Sequence, residues 1–167
     1  MIQLALTGVY RARWTHEINE EWTRNLIKNE PQLNPAKIQA TADLMNRVVR
    51  DSLIEDYQDL IPSFTLPDPG DRHVMAAAVK ARADVIITFN LRDFPDSALK
   101  PYVLEAVHPD NFILDVANLS PASALAAARA CWQRRGRPPI TWDEYLSSLG
   151  RAKLPKSADV FRHLSSL

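Results

Sequence analysis

The sequence predicts an α/β domain built on a mostly parallel sheet, followed by a small helical appendage. Three observations carry that expectation. Between Val9 and Val107, short alternating or β-branched runs are separated by stretches of helical periodicity, the order that lays strands side by side in parallel. Asp84-Val85-Ile86-Ile87-Thr88 is an unbroken β-branched run behind a helical stretch, as expected of a strand covered on both faces. Beyond Leu119 the strand signal stops and helical stretches, the first rich in alanine, take over. The expected division is a sheet-containing domain over 1–118 and a helical extension over 119–167.

The elements follow in order. Val9 to Trp14 alternates apolar and basic residues, the period of a half-buried strand. Thr15 then suits a helix N-cap, with Ile18, Trp22 and Leu26 recurring on one face behind it. Asn34-Pro35 starts a second helix, whose stripe of Ile38, Ala42, Met45 and Val49 extends to about Leu53. A turn around Pro62 leads to an extended piece, Phe64-Thr65-Leu66. Asp68-Pro69 is another cap and proline start, opening a helix of small residues through Ala81. After the strand at 84–88, residues 90–95 form a loop, and Val103 to Val107 a further strand. Pro109 opens a helix to about Asn118, and Ser120-Pro121 one to about Arg134. Arg135-Gly136-Arg137-Pro138-Pro139 breaks the pattern, Thr141 caps a helix to Leu149, and a last helix follows from Lys156.

Composition excludes several classes. Apolar residues at 46% and charged residues at 24% are ordinary for a globular chain with a real core. No apolar run approaches the roughly 18 residues of a membrane span, and Met1 to Leu6 lacks the basic lead-in of a signal peptide. One cysteine, Cys131, forms no internal disulfide and fits a reducing cytoplasm. Formal charge is zero, which argues against nucleic-acid binding by charge alone. The charge is divided, however: residues 1–119 hold 12 basic and 17 acidic side chains, and 120–167 hold 8 and 3. An acidic pocket beside a basic rim fits that division, and so do two solvated surfaces of opposite sign.

Ligands of open α/β sheets bind outside the carboxyl ends of the strands. Asp71 follows the extended piece at Leu66, Asp93 lies in the loop leaving the 84–88 strand, and Glu17, Glu20 and Glu21 open the helix after the first strand. Three strand ends would thus bring carboxylate to one rim, a set suited to a hard divalent ion. Each acid also has a structural explanation. Asp68 serves as a cap, Asp71 as its reciprocal partner, Glu17 and Glu20 as first-turn acids and Asp93 as a turn residue. Spacing alone leaves the two explanations open.

Longer strings add weight. Leu66-Pro67-Asp68-Pro69-Gly70-Asp71-Arg72-His73-Val74, followed by Ala83 to Pro95, resembles the centre of a PIN domain, and Trp14 to Trp22 resembles the segment bearing that family's second acid. The resemblance covers about 1–118. The remainder is similar to the helical C-terminal extension of one VapC-like subgroup. It implies a PIN-like parallel sheet flanked by helices and an endoribonuclease using Mg²⁺ or Mn²⁺. The implied setting is a toxin–antitoxin pair, with RNA as substrate and an antitoxin protein as partner. The family's second, third and fourth acids fall on Glu21, Asp71 and Asp93, with Glu17 in reserve for the second. Asn90 takes a position that is acidic in many relatives, Thr88 that of a small polar residue near the ion, and Asp68 a supporting place. His73 is expected to pack or hydrogen-bond rather than act as a base. Arg134, Arg135 and Arg137 are candidate phosphate contacts, or simply a solvated helix end.

Set against the family pattern, Met1 to Gly8 matches the end of the first helix, so the first strand and its Asp are expected to be missing. That implies a complementary N-terminal segment from a partner chain or longer form, or self-association as a homodimer. The competing expectation is a nuclease-inactive PIN remnant that binds, for example, an antitoxin.

Overall fold

The computed structural model describes residues 1–135 and 138–167; Arg137 therefore lies outside the described residues. The chain forms two compact units interleaved along its length. The first comprises Arg11–Ile86 and Asn90–Ala106, the second Met1–Tyr10, Ile87–Phe89 and Val107–Leu167.

In the first unit, Thr15 caps α2 (His16–Asn29), its hydroxyl accepting the Ile18 N–H at 3.0 Å. Asn34 caps α3 (Pro35–Val48) by accepting the Ala36 N–H at 2.9 Å. The packed face of α2 is not the expected apolar stripe. Ile18, Trp22 and Leu26 are half-buried, and the fully buried positions are Asn19 and Thr23. Asn46 on α3 explains this, because its side-chain oxygen accepts the Trp14 indole N–H at 2.7 Å and the Asn19 amide at 3.0 Å. The Trp22 indole in turn donates to Asn19 at 2.9 Å, so the buried amide is satisfied rather than excluded.

Three boundary expectations are corrected here. Residues 9–13 are not a strand; Trp14 alone forms an isolated parallel bridge with Leu53, donating to Ser52 O at 2.8 Å and accepting from Ile54 N at 2.9 Å. That bridge requires α3 to stop at Val48 rather than Leu53, and the left-handed Asp51 (φ 54°) turns the chain back. Phe64 to Leu66 is extended and buries Phe64 and Leu66, but no strand pairs with it among the described residues.

Asp68 caps a single turn (Pro69–Asp71) that leads directly into α4 (Arg72–Ala81). Small residues let α4 sit deep in an apolar cluster with Tyr57, Phe64, Leu66, Ile86, Phe94, Leu99 and Leu104. After α4 come β1 (Val85–Ile87), a turn at Leu91–Asp93, α5 (Asp96–Leu99) and β2 (Glu105–Val107). β1 and β2 make a two-stranded parallel sheet: Asp84 O accepts from Glu105 N, and Val107 O from Thr88 N. β2 starts two residues later than expected because Val103 adopts a left-handed conformation (φ 57°) and points into solvent.

The second unit is helical around its core, and the helix expectations for the C-terminal part hold. α1 (Ile2–Ala5), α6 (Pro109–Leu119), α7 (Pro121–Gln133), α8 (Trp142–Arg151) and α9 (Pro155–Ser165) enclose Leu4, Ile113, Val116, Leu146 and Phe161. Ala124, Ala127 and Ala128 permit close helix approach. Thr141 and Glu144 form a reciprocal capping box at the start of α8.

Candidate metal centre

Asp68, Asp71 and Asp93 converge within the first unit. Each offers one carboxylate oxygen, and these oxygens all lie within 4.8 Å of one another. Local chemistry places each of them. Pro69 fixes the turn that follows Asp68, whose Oδ1 accepts the Gly70 N–H at 2.7 Å. A Cβ at Gly70 would stand 3.1 Å from that oxygen, so glycine gives the carboxylate room to fold back. Asp71 sits at the N-cap of α4 but makes no side-chain cap bond, so its carboxylate remains available for other contacts. Asp93 ends the turn after β1, where the Asn90 amide donates to its Oδ2.

Three carboxylates this close repel one another by about 1–4 kcal/mol per pair, depending on solvent exposure. Asp71 shows the consequence. Burial first, then the charges of Asp68, Asp93 and Glu21, raises its carboxyl above the ordinary range, with His73 opposing. Among the described residues, no lysine or arginine pairs with any of the three. An all-oxygen donor set that no lysine or arginine neutralises among the described residues fits a hard divalent cation such as Mg²⁺ or Mn²⁺.

Glu21 lies outside this trio. Its Oε2 is 3.3 Å from His73 Nε2, while Glu17 Oε2 is 3.5 Å from His73 Nδ1 and accepts the Tyr57 hydroxyl at 2.9 Å. Glu21 nonetheless contributes to the charge acting on Asp71. In the second unit, Thr88 donates its N–H to Val107 O at 3.1 Å. Arg134 is the exposed C-cap of α7. Arg135 donates to Ser148 Oγ at 3.3 Å and lies 5.8 Å over the Tyr145 ring.

Asp68 was read from sequence as a cap with a supporting place. It is indeed a cap, and it also belongs to the carboxylate trio. Sequence reasoning missed the Glu17–His73–Glu21 contact, although the four-residue spacing of the two glutamates was a visible signal.

A parallel strand pair and a trio of carboxylates able to hold a cation describe the architecture, and comparison gives it a family. Residues 1–92 match the PIN domain and residues 109–163 match the VapC50 C-terminal domain; the chain belongs to the PIN-domain family. It is 43% identical over 108 residues to the putative ribonuclease VapC50 of Mycobacterium tuberculosis (strain ATCC 25618 / H37Rv). That alignment covers 65% of this chain and 63% of the relative, slightly under two thirds of its length. No solved structure gives a significant match.

Proposed function

We propose that this chain is a toxin-type endoribonuclease that hydrolyses RNA phosphodiester bonds with the help of Mg²⁺ or Mn²⁺. The observation that carries the proposal is the convergence of Asp68, Asp71 and Asp93, in a PIN-family chain related to a putative ribonuclease. Asp71 and Asp93 would hold the ion, directly or through water, with Glu21 as a third acid. Asp68 completes the negative pocket. When bound, such an ion supplies an activated water and neutralises charge on the phosphate. Asn90 orients Asp93 through its amide.

The nuclease function is assigned to 1–118 and an accessory role to the helices of 119–167. Arg134, Arg135 and Arg137 are proposed phosphate contacts. An antitoxin that covers the acidic pocket is the proposed protein partner, and the cytoplasm the proposed location. No helix among the described residues is long and apolar enough to cross a membrane.

The test is cleavage of an RNA pool by the purified chain with Mg²⁺ or Mn²⁺, with and without a chelator. One arm adds a peptide carrying a strand that ends in Asp, because the family pattern has a further acid at such a position. Fragments that require the divalent ion support the proposal. Chelator-resistant cleavage, or none in any arm, contradicts it. In the latter case the alternative, a binding module without nuclease activity, is favoured, and its specific support is an amide rather than an acid at Asn90.

A further inference from the structure

His73 is 4% exposed, on the first turn of α4 and two residues after Asp71. Its ring lies between two carboxylates of α2, with Nδ1 3.5 Å from Glu17 and Nε2 3.3 Å from Glu21. Among the described residues, neither nitrogen makes a well-aligned hydrogen bond. Burying an imidazole is costly unless its polar atoms are compensated, and the two glutamates supply that compensation. They are four residues apart, hence on one face of α2. Like charges at that spacing disfavour an isolated helix, so packing alone does not account for the pair.

We infer that His73 is a positioning residue: it ties Glu17 and Glu21 to the start of α4 and so holds Glu21 facing the carboxylate of Asp71. This rests on the metal-dependent reading above. The two contacts are unequal. Glu17 Oε2 meets both His73 Nδ1 and the Tyr57 hydroxyl, which makes Glu17 an anchor. Glu21 meets the ring through Oε2, leaving its other oxygen for an ion. The ring thereby couples the separation of α2 and α4 to the separation of two proposed ligands. Residues placed behind metal ligands in this way set affinity by fixing ligand orientation.

The test measures Mn²⁺ affinity of the full chain by calorimetry, with metal-free thermal unfolding recorded alongside. His73→Leu keeps an apolar filler but loses both nitrogens. It is expected to bind Mn²⁺ about 10–100-fold more weakly. His73→Gln places an amide nitrogen near the former Nε2, restores the contact to Glu21, and is expected to recover most of the affinity. Native affinity in His73→Leu, or a Gln variant as weak as the Leu variant, overturns the inference. If His73→Leu does not fold, Glu17→Gln replaces it; weakened Mn²⁺ binding supports the inference and unchanged binding overturns it. Asp71→Asn separates the two levels. If it loses Mn²⁺ binding while His73→Leu does not, only the positioning role fails. If the native chain binds no Mn²⁺, both fail.

Discussion

Asp110 on α6 caps α9 from a distance: its Oδ1 accepts the Ser157 hydroxyl at 2.7 Å and the Ser157 N–H at 2.8 Å. Its Oδ2 accepts the Lys156 N–H at 3.0 Å. The N-cap of α9 is Leu154, which has no side-chain acceptor, and Pro155 follows it. A carboxylate 46 residues earlier therefore satisfies N–H groups that the local sequence leaves orphaned.

Replacing Asp110 with alanine is expected to destabilise the chain by about 1–3 kcal/mol, because buried donors on α9 lose their acceptor. Urea unfolding measures it. The effect should depend on pH in a defined direction. Burial pushes the Asp110 carboxyl up, but the Ser157 and Lys156 hydrogen bonds outweigh it and hold the group below its ordinary value. The stabilisation is therefore complete above about pH 4 and is lost as pH falls through the lower folded-state value. Native and Asp110→Ala stabilities should converge in strong acid; a constant gap down to the lowest pH argues against the cap.

Thr141→Ala removes the hydroxyl half of the capping box, in which Thr141 Oγ1 accepts the Glu144 N–H and donates to Glu144 Oε2, and leaves the backbone N–H of residue 141 to Glu144. A loss of about 0.5–2 kcal/mol is expected. Hydrogen exchange should accelerate first at the start of α8. Uniform acceleration across the helices would place the effect elsewhere.

Asp71→Asn should stabilise the metal-free chain at neutral pH. The Asp71 carboxyl is raised, so the folded state holds its proton more tightly than the unfolded chain does. Stability then falls as pH climbs from the ordinary carboxylate value through the raised one, and stays lower above it. Solvent screening at this partly exposed position keeps the gain to about 0.2–1 kcal/mol. Unfolding in chelator at pH 7 and at about pH 3.5 checks the sign. The advantage should be present at the first and nearly absent at the second.

Arg134→Ala tests the proposed RNA contact. For a single-stranded substrate, losing one phosphate contact should reduce the salt dependence of binding by about 0.7 in log–log slope. An unchanged slope removes Arg134 from the interface. Arg135→Ala should also cost stability, because that side chain already bonds Ser148 and lies over Tyr145.

Local signals were legible in the sequence, and long-range ones less so. Thr15, Asn34, Asp68 and Thr141 were each read as caps, and each accepts the backbone N–H of a residue two or three positions on. Such bonds depend on a few neighbouring residues, which sequence displays directly. Pairing does not. The run ending at Trp14 shrank to one bridge because its partner Leu53 depends on the left-handed turn at Asp51. Periodicity ranked Ile18, Trp22 and Leu26 as inward-facing, but Asn46 across the interface made Asn19 the better-buried residue. Within the candidate site, family resemblance singled out Asp71 and Asp93. It gave the cap Asp68 a supporting place, and it could not show that Glu21 would lie against a buried histidine.

The most direct measurement is single-turnover cleavage of one defined RNA, in saturating Mn²⁺, by the native chain and by Asp71→Asn. The expected result is a fall in rate beyond the roughly 10–100-fold that follows from disturbing a residue behind a metal ligand, with the variant still folded. Cleavage by folded Asp71→Asn at the native rate would contradict the assignment of the carboxylate trio as the catalytic metal centre.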